Sequence, residues 1–259
     1  MRSTLEAAYE LGAPALADDL DRHFALYRAD TPELRAMCHR LRFEVYCVDN
    51  PFESAAESRD TLEYDQLDRA SEHALVVHRA LNIAVGTVRL ILPARLDAPA
   101  ELPFQKICGY RDPISRGLVP VHATAEISRF GMPRRVRQLL RTEAGLSRDA
   151  ERDPRTDDDP VGGLPILMLI RGFLMLAAEN EVSHLGALME PAMLRRVARL
   201  GIFFDPVGPP VVYHGLRQPS FVAIADMLDR VDSLRPDVWQ AITACGRLAY
   251  PTVPQIAAE

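Results

Sequence analysis

The chain has 259 residues, 48% of them hydrophobic, with 30 basic and 36 acidic side chains and a net charge of −6. That is enough apolar sequence for one substantial core in one large domain or at most two small ones. A pI near 5.7 excludes general nucleic-acid binding, which needs a basic face.

The first six residues, Met1 to Glu6, lack the apolar core of a signal peptide. Residues 5–28 carry apolar positions at helical spacing (Leu5, Ala8, Leu11, Leu20, Phe24, Leu26), broken at Gly12-Ala13-Pro14, and read as a peripheral helical arm over residues 1–30. Thr31-Pro32-Glu33 opens a helix: a hydroxyl at the cap, a Pro where its missing N–H costs nothing, and an acid against the dipole. Its stripe of Leu34, Cys38, Leu41 and Val45 carries it to about Tyr46. A loop over 47–62 precedes two strands near His73–His78 and Ile83–Ile91, joined through Leu81-Asn82 as a meander. A Pro-punctuated stretch leads to a strand at 121–130.

Residues 133–163 read as a charged insertion, partly helical and partly mobile, with Arg134, Arg135, Arg137 and Arg141 at its start. A strongly apolar helix follows over Leu164–Glu181. Its longest apolar run, 164–178, is broken by Arg171 and Gly172 and falls short of the roughly 20 residues of a membrane span. A strand at His184–Met189, a helix at Pro191–Leu200 capped by Gly201, and strands near Phe203–Pro206 and Val211–Tyr213 come next. Two helices, Ser220–Arg230 and Pro236–Leu248, close the chain. The order predicts an α+β (mixed α/β) fold with one mixed sheet, as a single domain over 31–259. It matches the order of the GNAT fold, named for the aminoglycoside N-acetyltransferases.

Four cysteines, Cys38, Cys47, Cys108 and Cys245, form no C-x-x-C pair and have no His at ligand spacing, so reduced thiols and no metal site are expected. A cytoplasmic protein without a membrane span is the expectation. His39 stands eight residues from Cys47, about two helical turns, too far to activate it. His184 and His214 read as structural hydrogen-bonders.

Charge falls in four clusters. Arg42 and Tyr46 share a helix face. Glu63, Asp65 and Asp68 lie on one short stretch. Arg89 lies in a strand whose alternation puts Val85, Thr87 and Arg89 on one face and Gly86, Val88 and Leu90 on the other. Glu126 and Arg129 end the strand Ala125-Glu126-Ile127-Ser128-Arg129-Phe130-Gly131-Met132, where small and apolar neighbours would desolvate the carboxylate. Arginines facing carboxylates suit a zwitterionic substrate: a guanidinium holds a carboxylate by two parallel hydrogen bonds, and Asp or Glu orients an ammonium. They equally suit a structural ion network.

These residues carry a resemblance. Arg42-x-x-x-Tyr46, Glu63-x-Asp65-x-x-Asp68, Val88-Arg89-Leu90 and Glu126-x-Ser128-Arg129-Phe130 are similar in type, spacing and order to the acyl-homoserine-lactone synthases. Met189-Glu190-Pro191-x-Met193-Leu194-x-Arg196 and Gly201-Ile202-x-Phe204 through Tyr213-His214-Gly215 resemble the long-chain N-acyl amino acid synthases and the acyltransferases of the PEP-CTERM/exosortase system. The lactone synthases usually carry a Trp soon after the first helix, whereas the only Trp here is Trp239, and they lack a charged insertion like 133–163. Both departures favour the amino-acid synthase side.

The resemblance implies transfer of a long-chain acyl group from acyl carrier protein to the α-amine of a small amino acid, with no tightly bound cofactor. In that scheme Glu126 is the base, with Arg129 beside it. Arg42, Tyr46, Asp65, Asp68 and Arg89 bind the acceptor. Phe130, Gly131 and Met132 hold the thioester and its oxyanion, and Ile170 and Phe173 face the acyl chain. The apolar helix that carries those two reads equally as core. Arg134, Arg135 and Arg137 could dock an acidic carrier protein or form a solvated face. Coenzyme A is the less expected donor. The coenzyme A acetyltransferases of this fold bind pyrophosphate on a Gly-rich loop at a helix start, and neither Pro133-Arg134-Arg135 nor Val161-Gly162-Gly163-Leu164 fits that loop. The alternatives are an acyl-homoserine-lactone synthase, using S-adenosylmethionine, and a non-catalytic acyl-binding module.

Overall fold

A computed structural model describes residues 13–50, 59–93, 101–108, 113–143 and 160–248. Within them, helix α1 (Ala13–His23) leads into strand β1 (Phe24–Arg28). Helix α2 (Pro32–Phe43) starts as its sequence dictates: the Thr31 hydroxyl accepts from the Leu34 N–H at 3.3 Å and Pro32 sits in the first turn. It ends in a wider π-turn over Glu44–Asp49. Strands β2 (Ser71–His78) and β3 (Ile83–Ile91) form the expected meander, with Asn82 at φ 49° in the turn, a conformation Asn tolerates well.

Short helix α3 (Pro103–Cys108), strand β4 (Thr124–Gly131) and helix α4 (Arg134–Glu143) follow, then the long apolar helix α5 (Pro160–Glu179) and strand β5 (His184–Met189). Helix α6 (Pro191–Ala198), two-residue strands β6 (Asp205–Pro206) and β7 (Val211–Val212), strand β8 (Leu216–Ala223), and helices α7 (Ile224–Leu234) and α8 (Pro236–Ile242) complete the described chain. Gly201, at φ 82° just beyond α6, takes the left-handed position expected of it.

The strands form one mixed sheet in the order β1-β2-β3-β4-β5-β8-β6, with β7 paired to β8. Neighbours are antiparallel except β4 and β5, which run parallel. Alternation sorts the faces. Ala74 and Val76 of β2 join the main core built on α5, while Leu75 between them packs with Cys38 and Leu41 of α2 on the other face. Val85 departs from simple alternation. The β2–β3 register slips at this point, and the extra residue turns Val85 into the same core as Val88 and Leu90.

Three expectations need correction. Residues 13–28 are not peripheral: Leu20 is fully buried in the main core, and residues 24–28 form a sheet strand against β2, not helix. Residues 1–12 lie outside the described residues. The charged insertion divides: 134–143 form α4, 160–163 begin α5, and 144–159 lie outside the described residues. The helix expected at Ser220 starts instead at Ile224, because residues 216–223 are the inner strand β8. Pro219 hid this strand, since proline cannot donate to a ladder and seldom stands inside a sheet. Cys38, Cys47 and Cys108 are buried and Cys245 is exposed, and none of the four is in a disulfide among the described residues.

Candidate functional site

The site forms where β4 and β5 part. Their parallel pairing runs from Thr124–His184 to Ile127–Ala187, after which β4 continues to Gly131 and β5 to Met189 without a further mutual pair. On the other side of β4, Ser128 faces Arg89 and Gly131 faces Thr87, so β4 has one residue more than β3 over that interval. The extra residue is accommodated by a bulge in which Arg129 takes φ 48°, a costly conformation for a long side chain. The bulge aims the Arg129 guanidinium back over the Tyr46 ring, 5.1 Å from its centroid. The Tyr46 hydroxyl donates to the Phe130 carbonyl at 3.4 Å.

Three arginines and three carboxylates then interlock. Arg42, with no exposed surface, donates through Nε to Glu63 at 2.5 Å and through both terminal nitrogens to Asp68 at 2.6 and 3.1 Å. Arg89 donates to Ser128 Oγ at 2.9 Å, Asp65 at 2.7 Å and Asp68 at 3.0 Å. Arg129 reaches Glu63 at 2.8 Å and Asp65 at 3.2 Å. Asp65 and Asp68 also close a capping box on the 3₁₀ turn Gln66–Ala70, which fixes both carboxylates relative to the strands. Burial alone would raise the Glu63 carboxyl, but hydrogen bonds from Arg42 and Arg129 outweigh it and hold the group at about 2. Asp68 is likewise buried, and its bonds to His73 and Arg42 keep it far below the usual carboxylate range.

Glu126 stands apart from this network. It is 2% exposed and, unlike Glu63, receives no guanidinium hydrogen bond among the described residues; the Phe104 backbone N–H donates to it at 2.9 Å. Burial pushes its carboxyl up to about 8, opposed by the Phe104 N–H and by the charges of Arg89, Arg129 and Lys106. Two carboxylates on adjoining elements thus sit far apart in proton affinity, the pattern of a site with divided acid–base roles.

A cleft of about 1170 Å³ opens here. Glu126, Asp65, Arg89, Arg129 and Tyr46 line its charged wall. Phe130, Gly131 and Met132 line the parted edge of β4, and Arg134 and Arg137 also border the space. Ile170 and Phe173 give α5 an apolar wall there, joined by Met193, Val197 and Phe204. Arg42 is sealed behind the wall and braces Glu63 and Asp68. Arg135 pairs instead with Glu44, at 2.5 and 2.7 Å.

Two positions beside Glu126 escaped the sequence reading. Phe104 reaches it through its backbone N–H, which has no side-chain signature. Gly186 is the one with a readable signal, a glycine inside a strand, which marks close approach by another group. His39, Asp68 and His73 bring ligand-type atoms within 4.8 Å of one another. However, Asp68 Oδ1 there already accepts from Arg42 and Arg89, and a cation would meet two guanidiniums.

Residues 41–143 match the family described as an acetyltransferase (GNAT) domain. The fold is GNAT-like. The chain is similar in structure to TofI, solved in a ternary complex with an inhibitor and MTA, with a TM-score of 0.55 and 18% identity over 83% of this chain and 99% of that one. It is also similar to BjaI, a CoA-dependent acyl-homoserine lactone synthase solved with SAM and isopentyl-CoA (TM-score 0.54, 18% identity, 89% and 91% covered). The AHL synthase LasI is a third such structure, at TM-score 0.52 and 14% identity over 77% and 88%. No curated protein matches the sequence.

Proposed function

We propose that the protein moves a long-chain acyl group from the thioester of acyl carrier protein to the α-amine of a small amino acid, giving an N-acyl amino acid. The observation that carries this reading is Glu126: a buried carboxyl held at about 8, at the parting of β4 and β5, on a cleft with one charged and one apolar wall. An α-ammonium cannot attack a thioester until it loses a proton, and a base whose affinity lies near the working pH removes it most effectively. The amine nitrogen then attacks the thioester carbon, and the tetrahedral oxyanion needs donors. Backbone N–H groups of residues 130–132 would be those donors, a reading supported by their place beyond the last β4–β5 pair and on the wall of the cleft. On collapse the C–S bond breaks, the nitrogen gives up its second proton and the pantetheine thiolate takes one. The acceptor carboxylate would approach Arg89 and Arg129, with Asp65 near the ammonium.

The carrier-protein donor is favoured at the start of α4. Pro133 has no N–H, and the Arg134 N–H is already bonded to the Asp49 carboxylate at 2.5 Å. A pyrophosphate arriving there meets a negative charge where a helix start would otherwise attract it. Arg134 and Arg137 are the cations through which an acidic carrier protein would dock. BjaI, which is CoA-dependent, is the counter-example on a similar fold.

The test is mass spectrometry of lipid extracts from cells expressing the wild type or Glu126→Gln. New N-acyl amino acids that vanish in the variant are expected. In purified form kcat/KM should fall at least about 100-fold in the variant, the usual scale for general-base removal. Wild-type kcat/KM should climb as pH rises toward about 8, as Glu126 loses its proton. Retention of activity within a few-fold by Glu126→Gln would remove the base assignment. Acyl-homoserine lactone formed only with S-adenosylmethionine would select the lactone synthase instead.

A further inference from the structure

Glu126 and Gly186 are direct neighbours, paired across the parallel β4–β5 ladder. A Cβ built on Gly186 would lie 2.4, 2.6 and 2.8 Å from three ring carbons of Phe104, closer than any real contact. The Phe104 ring therefore occupies the space that a side chain at 186 would take. The same residue sits in the first turn of α3 and sends its backbone N–H to Glu126 at 2.9 Å. The ring is fully buried, 6.1 Å from the ring of Phe221 on β8, in a small cluster with Ile91 and Leu102. Ring and amide belong to one residue, and with the ring fully buried in that cluster, where it seats on β5 constrains the reach of the amide to the carboxyl on β4.

We infer that Gly186 is a positioning residue for Glu126: its missing side chain lets the Phe104 ring seat on β5 and so holds the Phe104 amide on the Glu126 carboxyl. This rests on the proposed role of Glu126 as the base. The amide is the hydrogen bond that favours the ionised carboxyl, against a burial that favours the neutral one. A methyl at 186 must push the ring, and α3 with it, away from the sheet, because the ring is backed by Phe221 and has no free end to swing aside. The lengthened bond leaves the carboxyl buried without its donor, and its proton is held more tightly.

The experiment compares wild type, Gly186→Ala and Gly172→Ala. Gly172 lies on α5, where a Cβ would come within 3.0 Å of Ala74 and 3.3 Å of Leu26, so its alanine crowds the sheet without touching Phe104. Two readouts are taken: the pH dependence of kcat/KM with acyl carrier protein thioester, and carboxyl titration by NMR of ¹³C-labelled Glu. In Gly186→Ala the Glu126 titration and the acid limb of the rate profile should move up together by about one unit. That is about tenfold lower kcat/KM at pH 7, recovered at high pH. Gly172→Ala should lose stability without moving either. If Gly186→Ala does not fold, Phe104→Leu keeps the amide but removes the ring that seats it against Gly186, and should move the Glu126 titration up in the same direction; an unmoved titration there overturns the inference. An unmoved Glu126 titration in the folded variant, or an equal shift in Gly172→Ala, overturns the inference. A moved titration with an unchanged rate profile supports the positioning and removes the base role instead.

Discussion

Two buried carboxyls at the site, Glu63 and Glu126, show how neighbours set proton affinity. Glu63 and Glu126 are both almost wholly buried, yet one is held at about 2 and the other at about 8. The difference is that Arg42 and Arg129 donate to Glu63, while among the described residues the Phe104 amide donates to Glu126. Removing the Glu63 charge takes a buried anion from both Arg42 and Arg129, which keep only Asp68 and Asp65 of the carboxylates that the network supplies them, and Glu63→Gln should cost about 3–5 kcal/mol in urea unfolding, the scale for breaking a buried pair. The pH dependence follows from the sign of the shift. Its folded value lies below its ordinary 4.5, so its contribution is full above 4.5 and is lost as pH falls from 4.5 toward 2. Wild type and Glu63→Gln should therefore converge in stability through that window, and a gap that persisted at pH 2 would contradict the network.

At the scale of elements, the proposed choice of donor rests on the joint between the α2 π-turn and the start of α4. Asp49 ends the turn and caps the Arg134 N–H, so the helix start that would attract phosphate carries a carboxylate instead. Asp49→Ala should lower KM for acyl-CoA by a few-fold, the scale of a helix-dipole charge, and leave KM for acyl carrier protein thioester unchanged. Steady-state kinetics with both donors checks this, and equal changes for the two would sink the donor argument. The elements were unevenly legible. The start of α2, the β2–β3 meander and the glycine ending α6 followed from local chemistry, because caps and turns are decided by a few adjacent residues. Strand β8 did not: its hydrogen-bond partners on β5 and β6 are distant in sequence, and Pro219 looks locally like a stop.

For the molecule as a whole, the N-terminal segment belongs to the core. α1 packs on α8, at the other end of the described chain, and β1 extends the sheet beside β2. Leu20→Ala should lower stability by about 2–5 kcal/mol, as for other fully buried leucines, and a loss under 1 kcal/mol in thermal unfolding would return the segment to the periphery. The arm looked peripheral because Gly12-Ala13-Pro14 breaks its periodicity, and periodicity says nothing about what an amphipathic stretch packs against.

By itself the sequence determined the fold class and the charged residue types of the site, because hydrophobic period and turn chemistry are local and the motifs run in order. Only the tertiary structure decided how they are arranged. Arg42, named as a substrate ligand, is sealed behind the wall, and Glu126 is poised by an amide from Phe104 and a missing side chain at Gly186. Burial, backbone donors and steric exclusion arise between segments far apart in the chain, so they have no signature in the residues that feel them.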